Sequence, residues 1–110
     1  GEIAEMLDRW LAAWSSKNIE QYGRCYAKDF RSQGMDRKAW LAHKDRLNKK
    51  YDYIRVSKDK YKIRQKGKQP EVTFVQTYRS NAFKAVGIKK LTLKRENGQW
   101  KIFRETWKKL

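Results

Sequence analysis

The feature that most constrains this chain is a change of hydrophobic rhythm at Tyr51. Before it, Ile3, Met6, Leu7, Trp10, Leu11 and Trp14 recur at i, i+3, i+4, i+7, i+8 and i+11, the stripe of one amphipathic helix. Ser15, Ser16 and Asn18 interrupt that helix. Asn18 and Gln21 then stand at capping-box spacing, which predicts a second, shorter helix with Ile19, Tyr22, Tyr26 and Phe30 along one side. The stretch "RSQG" closes it, and Asp36 is placed to cap a third helix in which Trp40, Leu41, Lys44, Leu47 and Tyr51 recur.

After Tyr51 the apolar residues alternate. Ile54 and Val56 alternate with Tyr53, Arg55 and Ser57, whereas Tyr61 and Ile63 have the opposite parity, so a bulge near residues 58–60 is expected if both pairs face a core. "QKGKQP" reads as a turn. The next strand, "EVTFVQTYRS", puts Val72, Phe74, Gln76 and Tyr78 on one face and Thr73, Val75, Thr77 and Arg79 on the other. Two more strands, about 84–95 and 99–107, flank Asn97-Gly98, whose tolerance of positive φ predicts a type I′ hairpin. Pro70 stands at a strand start, where its missing donor matters least. Helices followed by antiparallel strands define an α+β class: three N-terminal helices packed on one four-stranded sheet. With 110 residues there is material for one hydrophobic core, hence a single domain over 1–110. The initial Gly, in place of Met, suggests a domain excised from a longer protein.

Counting outward from the Asn97-Gly98 turn pairs Glu96 with Gln99, Leu93 with Ile102, Thr92 with Phe103, Lys90 with Glu105 and Ile88 with Trp107. One face then collects Leu91, Leu93, Trp100 and Ile102 and needs cover. The other collects Lys90, Thr92, Lys94, Lys101, Phe103, Glu105 and Trp107. An exposed Lys90–Glu105 pair would contribute only about 0.2–1 kcal/mol. Buried between Phe103 and Trp107, the same carboxylate would be pushed toward a higher pKa unless Lys90 held it ionised.

The formal charge of +16 is unevenly distributed. Residues 1–36 hold five Lys/Arg against six Asp/Glu, and residues 37–110 hold 23 against six, so the positive field belongs to the second part. Such a field attracts polyanions without specifying which, and a solvated, solubilising surface is the plainer reading. Eighteen of the 28 cations are Lys, suited to diffuse attraction more than to planar, bidentate recognition. No apolar run approaches the ~20 residues of a membrane helix. Cys25 is the single cysteine, which excludes an internal disulfide and reads as a small buried thiol on the second helix. Metal-ligand spacing, a Gly-rich phosphate loop and a nucleophile elbow are all absent, so nothing specifies a cofactor.

Three helices and a curved sheet ending in "GQWKIFRETW" resemble the nuclear transport factor 2-like superfamily, whose cystatin-like cone encloses a cavity. More narrowly, "WLAAWSSKNIEQYGRCYAKDF", "RKAWLAHKDRL", "VTFVQTYRS" and "KKLTLKRENGQWKIFRETW", in that order, resemble the accessory domain that follows the catalytic domain of bacterial L,D-transpeptidase-like cell-wall proteins. The resemblance points to Trp10, Trp14, Tyr22, Tyr26, Phe30, Trp40, Gln76, Tyr78, Lys90, Trp100 and Glu105 as core or cavity wall. Together with the hairpin, it makes Tyr22, Tyr26, Trp40, Gln76, Tyr78, Lys90, Phe103, Glu105 and Trp107 the candidate ligand-binding residues. It also implies a periplasmic or extracytoplasmic location.

Related enzymes of the superfamily, among them isomerases, dehydratases and cyclases, place Asp, His or Tyr in the cavity. Here the weak candidates for acid–base work are Glu105 and His43, the only histidine. The resemblance therefore implies a non-catalytic module that binds a ligand, an anionic cell-wall polymer or a partner protein. A small cone-fold enzyme is the alternative. A nucleic-acid module is the second, since basic strands carry interleaved aromatics, although the RNA-recognition signature is absent. A homodimer through the outer sheet face would use Val75, Thr77 and Phe103.

Overall fold

The computed structural model describes residues 1–110, and its helices precede its main sheet as the change of period predicts. Helix α1 (Glu2–Ser15) buries Met6, Leu7, Trp10, Leu11, Ala13 and Trp14. It stops where Lys17 turns to a φ of 60°. Asn18 caps α2 (Ile19–Arg24) by accepting from the Gln21 amide at 3.2 Å. This helix is shorter than expected: Cys25 is its C-cap, and Tyr26 and Phe30 lie beyond it. The reason is tertiary. The Ile102 amide donates to the Cys25 carbonyl at 2.7 Å and the Ala27 amide to the Ile102 carbonyl at 2.8 Å, so the sheet takes backbone groups that a longer helix would use.

The "RSQG" segment is likewise more than a loop. Strands β1 (Arg31–Ser32) and β2 (Met35–Asp36) form a small hairpin, turned by Gln33 and Gly34 at φ of 52° and 75°. The Ser32 hydroxyl donates to the Glu105 carbonyl at 2.6 Å, tying this hairpin to the main sheet. Asp36 then caps α3 (Arg37–Lys49), accepting from the Ala39 amide at 2.9 Å.

Four antiparallel strands follow in sheet order: β3 (Ile54–Arg64), β4 (Glu71–Ser80), β5 (Lys84–Glu96) and β6 (Gln99–Lys109). Asn97 and Gly98 hold φ of 52° and 77°, as a type I′ turn requires. Two bulges bend the sheet. One falls between Asp59 and Lys62, next to the expected place, and Ile63 pairs with the buried Val72; Tyr61 and Ile63 nevertheless stay 39% and 44% exposed, because the helices cover only the start of β3.

The other bulge was not expected. Leu93 faces Ile102, but Thr92 faces Arg104, which leaves Phe103 as an extra residue in β6. Beyond it the register differs by one: Leu91 faces Glu105, Lys90 faces Thr106 and Lys89 faces Trp107. A shift of one residue exchanges the two faces of a strand. Glu105 and Trp107 consequently join Ile102 on the covered face, and the pairs Lys90–Glu105, Thr92–Phe103 and Ile88–Trp107 do not form.

The core lies between the helices and this covered face. Rings of Trp10, Trp14, Tyr22, Tyr26, Phe30, Trp40 and Phe74 meet at centroid distances of 4.9–6.4 Å. Tyr22, Tyr26 and Phe30 are fully enclosed although only the first is helical. Gly87 sets how close β5 comes to β6. A Cβ there would stand 2.5 Å from the Lys108 carbonyl oxygen and 2.6 Å from the Trp107 ring. Gly87→Val is expected to destabilise the domain by about 1–3 kcal/mol through overpacking. Denaturant unfolding checks this; a valine variant with an unchanged midpoint would show that Trp107 moves aside freely.

Candidate functional site

Beside this core, α3 and the covered face of the sheet leave a cavity of about 290 Å³. Its aromatic walls come from three directions: Trp14 on α1, Trp40 on α3, and Tyr78 and Trp107 on β4 and β6. Polar groups reach it from His43, Lys44 and Asn48 on α3, Gln76 on β4, Lys89 on β5, and Gln33 in the small hairpin. Helical spacing explains the α3 set, since residues 40, 43, 44, 47 and 48 share one face. Strand alternation explains Gln76 with Tyr78.

Of the residues expected at the site, Trp40, His43, Gln76, Tyr78 and Trp107 line the cavity. Glu105, Tyr22 and Tyr26 are buried just behind it, joined in one hydrogen-bonded cluster. Lys90 and Phe103 belong elsewhere. Lys90 is exposed on the opposite face, and Phe103, displaced by the bulge, packs against Lys94 and Arg104 at 4.9 Å and 3.8 Å from its ring centroid. The ion-pair partner of Glu105 is Lys89, not Lys90. Its signal was present in the sequence: Gly87, Lys89, Leu91 and Leu93 share one parity, so a lysine stands in line with covered apolar positions.

The Lys89 ammonium donates to Glu105 Oε2 at 2.6 Å, and the Tyr26 hydroxyl donates to Oε1 at 2.7 Å. The Tyr26 oxygen accepts from Trp10 Nε1 at 3.0 Å and stands 2.8 Å from the Tyr22 hydroxyl. Burial pushes the Glu105 carboxyl up, but the charges of Lys89 and Lys44 and the hydrogen bonds from Lys89 and Tyr26 outweigh it and hold the group below its ordinary pKa. Burial, then the Glu105 charge, pushes both tyrosines well up, so Tyr26 keeps the proton it donates. Lys89 itself stands 5.5 Å and 5.6 Å from the Trp14 and Trp107 ring centroids.

Lys44 differs. Its ammonium lies 4.5 Å and 5.1 Å from the Trp14 and Trp40 centroids and forms no salt bridge. Burial pulls it down to about 8, with the Glu105 charge working the other way. Gln76 is 3% exposed, and its Oε1 has no hydrogen-bond partner. An unpartnered buried carbonyl is costly, about 1–3 kcal/mol, unless something else satisfies it. Two ammoniums against one carboxylate leave the site net positive, within aromatic walls suited to a flat or apolar surface. The cavity thus combines a net positive charge with one unfilled acceptor, Gln76 Oε1.

Helices covering one face of a bent four-stranded antiparallel sheet, with a cavity between them, define a nuclear transport factor 2-like domain of the cystatin-like cone type. Residues 2–106 match the family of the Cds6 C-terminal NTF2-like domain, and the chain belongs to that family. The structure of Bd1075 from Bdellovibrio bacteriovorus is similar at a TM-score of 0.91 and 30% identity, over 98% of this chain and 39% of that one. The helical cell shape determining protein Pgp2 from Campylobacter jejuni, solved as a K307A mutant, gives 0.79 and 19%, over 92% of this chain and 38% of that one. A putative scytalone dehydratase from Novosphingobium aromaticivorans gives 0.83 and 12%, over 99% and 82%. The fold is thus shared with an enzyme-like protein, and the chain spans about two fifths of the first two. Among curated proteins, none matches the chain. No helix is long and apolar enough to cross a membrane.

Proposed function

We propose that this domain is a non-catalytic, ligand-binding accessory module of an exported bacterial cell-wall protein of the L,D-transpeptidase-like kind, acting outside the cytoplasm to position that protein on anionic peptidoglycan fragments or a cell-wall partner. The observation that carries the reading is Gln76 Oε1, buried without a hydrogen-bond partner on an aromatic-walled cavity that also holds the Lys44 ammonium, which forms no salt bridge. Support for the cellular setting comes from likeness to Pgp2, a helical cell shape determining protein. Glu105 is a poor general acid in this reading, because Lys89 keeps it ionised.

The test is calorimetric titration with soluble, muramidase-released peptidoglycan fragments. Saturable binding is expected, weakened at least about tenfold, or ~1.4 kcal/mol, by Lys44→Met or Gln76→Leu, with melting temperatures kept. Affinity for anionic fragments should also fall as pH rises through about 8, where Lys44 loses its proton. Binding indifferent to both substitutions would remove the cavity from consideration. Turnover lost with His43→Ala would replace this reading by the enzyme one, and tight, steeply salt-dependent binding of single-stranded oligonucleotide by the nucleic-acid one.

A further inference from the structure

A second concavity, of about 440 Å³, shares no residue with the first. It lies where α1 and α2 meet the start of β6: Met6, Cys25 and Trp100 give it apolar surface, and Arg9, Arg24 and Lys101 border it with Gln21 and Gln99. Three cations and no acid line it. Arg9 and Arg24 each have a carboxylate one helical turn earlier, Glu5 and Glu20, at the spacing where helix ion pairs form. Neither pair forms. Both guanidiniums therefore border the groove without a carboxylate partner; most arginines of the chain also lack one, but these two stand on the wall of one concavity. The Lys101 ammonium donates to the Arg24 carbonyl, which tethers it at the wall. The charges of Arg9 and Lys101 both reach the Cys25 thiol, where they oppose the upward push of burial. Trp100 is half-buried, with the Arg95 guanidinium 4.3 Å from its ring centroid.

We propose that this groove binds a phosphate-bearing ligand, with Arg9, Arg24 and Lys101 around the phosphate and the organic part laid against Trp100. Three positive charges without a compensating acid favour a dianion over a single carboxylate, and two planar forks suit phosphate oxygens. A free phosphate ester and a phospholipid headgroup share this chemistry. The proposal stands independently of the cavity, because no group serves both sites.

The experiment is an NMR titration of the ¹⁵N-labelled domain at fixed ionic strength with glycerol 3-phosphate, followed by flotation on phosphatidylglycerol vesicles. Saturable shifts are expected at the Trp100 indole N–H and at the Gln99 and Lys101 amides. Arg9→Gln with Arg24→Gln should weaken binding at least tenfold. The pair Lys90→Gln and Lys108→Gln, which removes the same charge from the outer sheet face, should change it less than twofold, and Lys44→Met should leave it unaltered. All these side chains except Lys44 are exposed, so the folds should survive. Saturation by glycerol 3-phosphate alone assigns a free ester; added vesicle capture, lost with the same two arginines, assigns a headgroup, and either upholds the site. Shifts that do not saturate, or equal weakening by both charge-removing pairs, would reduce the groove to part of the general positive field and overturn the proposal.

Discussion

Glu105→Gln should destabilise the folded domain by about 3–5 kcal/mol at neutral pH, the usual result of removing one partner from a buried ion pair. The substitution keeps the shape but leaves the Lys89 ammonium enclosed without its carboxylate. The sign of the pH dependence follows from Glu105. Its carboxyl is held below the ordinary value, so the pair's contribution is fully present above the unfolded carboxyl pKa of about 4.3 and is lost as pH falls through the lower folded value. Wild type should therefore lose stability on acidification toward pH 3, and Glu105→Gln should lose less over the same interval. Replacing both partners, Lys89→Met with Glu105→Leu, should recover much of the loss, because two apolar groups of similar volume leave no buried charge. Urea unfolding at pH 7 and pH 3 decides it; a loss below about 1 kcal/mol at pH 7 would mean that water or another group already satisfies Lys89.

Trp10→Ala should cost a comparable amount, about 3–5 kcal/mol. Trp10 is fully enclosed, its ring 5.4 Å from that of Trp14 and 6.1 Å from that of Phe74, and its indole N–H supports the Tyr26 hydroxyl that donates to Glu105. Trp10→Phe separates the two contributions: it keeps most of the packing and removes the hydrogen bond, for about 1 kcal/mol from that bond. If alanine were no more harmful than phenylalanine, the aromatic cluster would not be the main support of α1.

The two substitutions also mark where prediction from sequence worked. The burial of Trp10 follows from the α1 stripe without knowledge of the neighbours, because helical period alone aligns it with Met6, Leu7 and Trp14. The same local rules placed the caps Asn18 and Asp36, the Asn97-Gly98 turn and the covered parity of Phe74, Gln76 and Tyr78. The resemblance to the cone-fold superfamily, together with the hairpin, brought Trp40, Gln76, Tyr78 and Trp107 into view as candidates, and His43 entered as the only histidine. The local rules put Lys89 in line with the covered face but failed to pair it with Glu105. Its position next to Glu105 depends on a single extra residue in β6, and nothing local at Phe103 announces a bulge.

The end of α2 shows the same division. Tyr22, Tyr26 and Phe30 satisfy helical spacing, yet the backbone at Cys25 and Ala27 bonds to Ile102, about 75 residues away in the chain. Periodicity, capping chemistry and turn residues act within a few positions, so the order of elements and the class of fold were written in the chain itself. Strand register past a bulge, the partner of a buried charge and the presence of a cavity or groove depend on distant groups being brought together. Only the tertiary structure decided those, because packing free energy is summed over contacts that no local window contains.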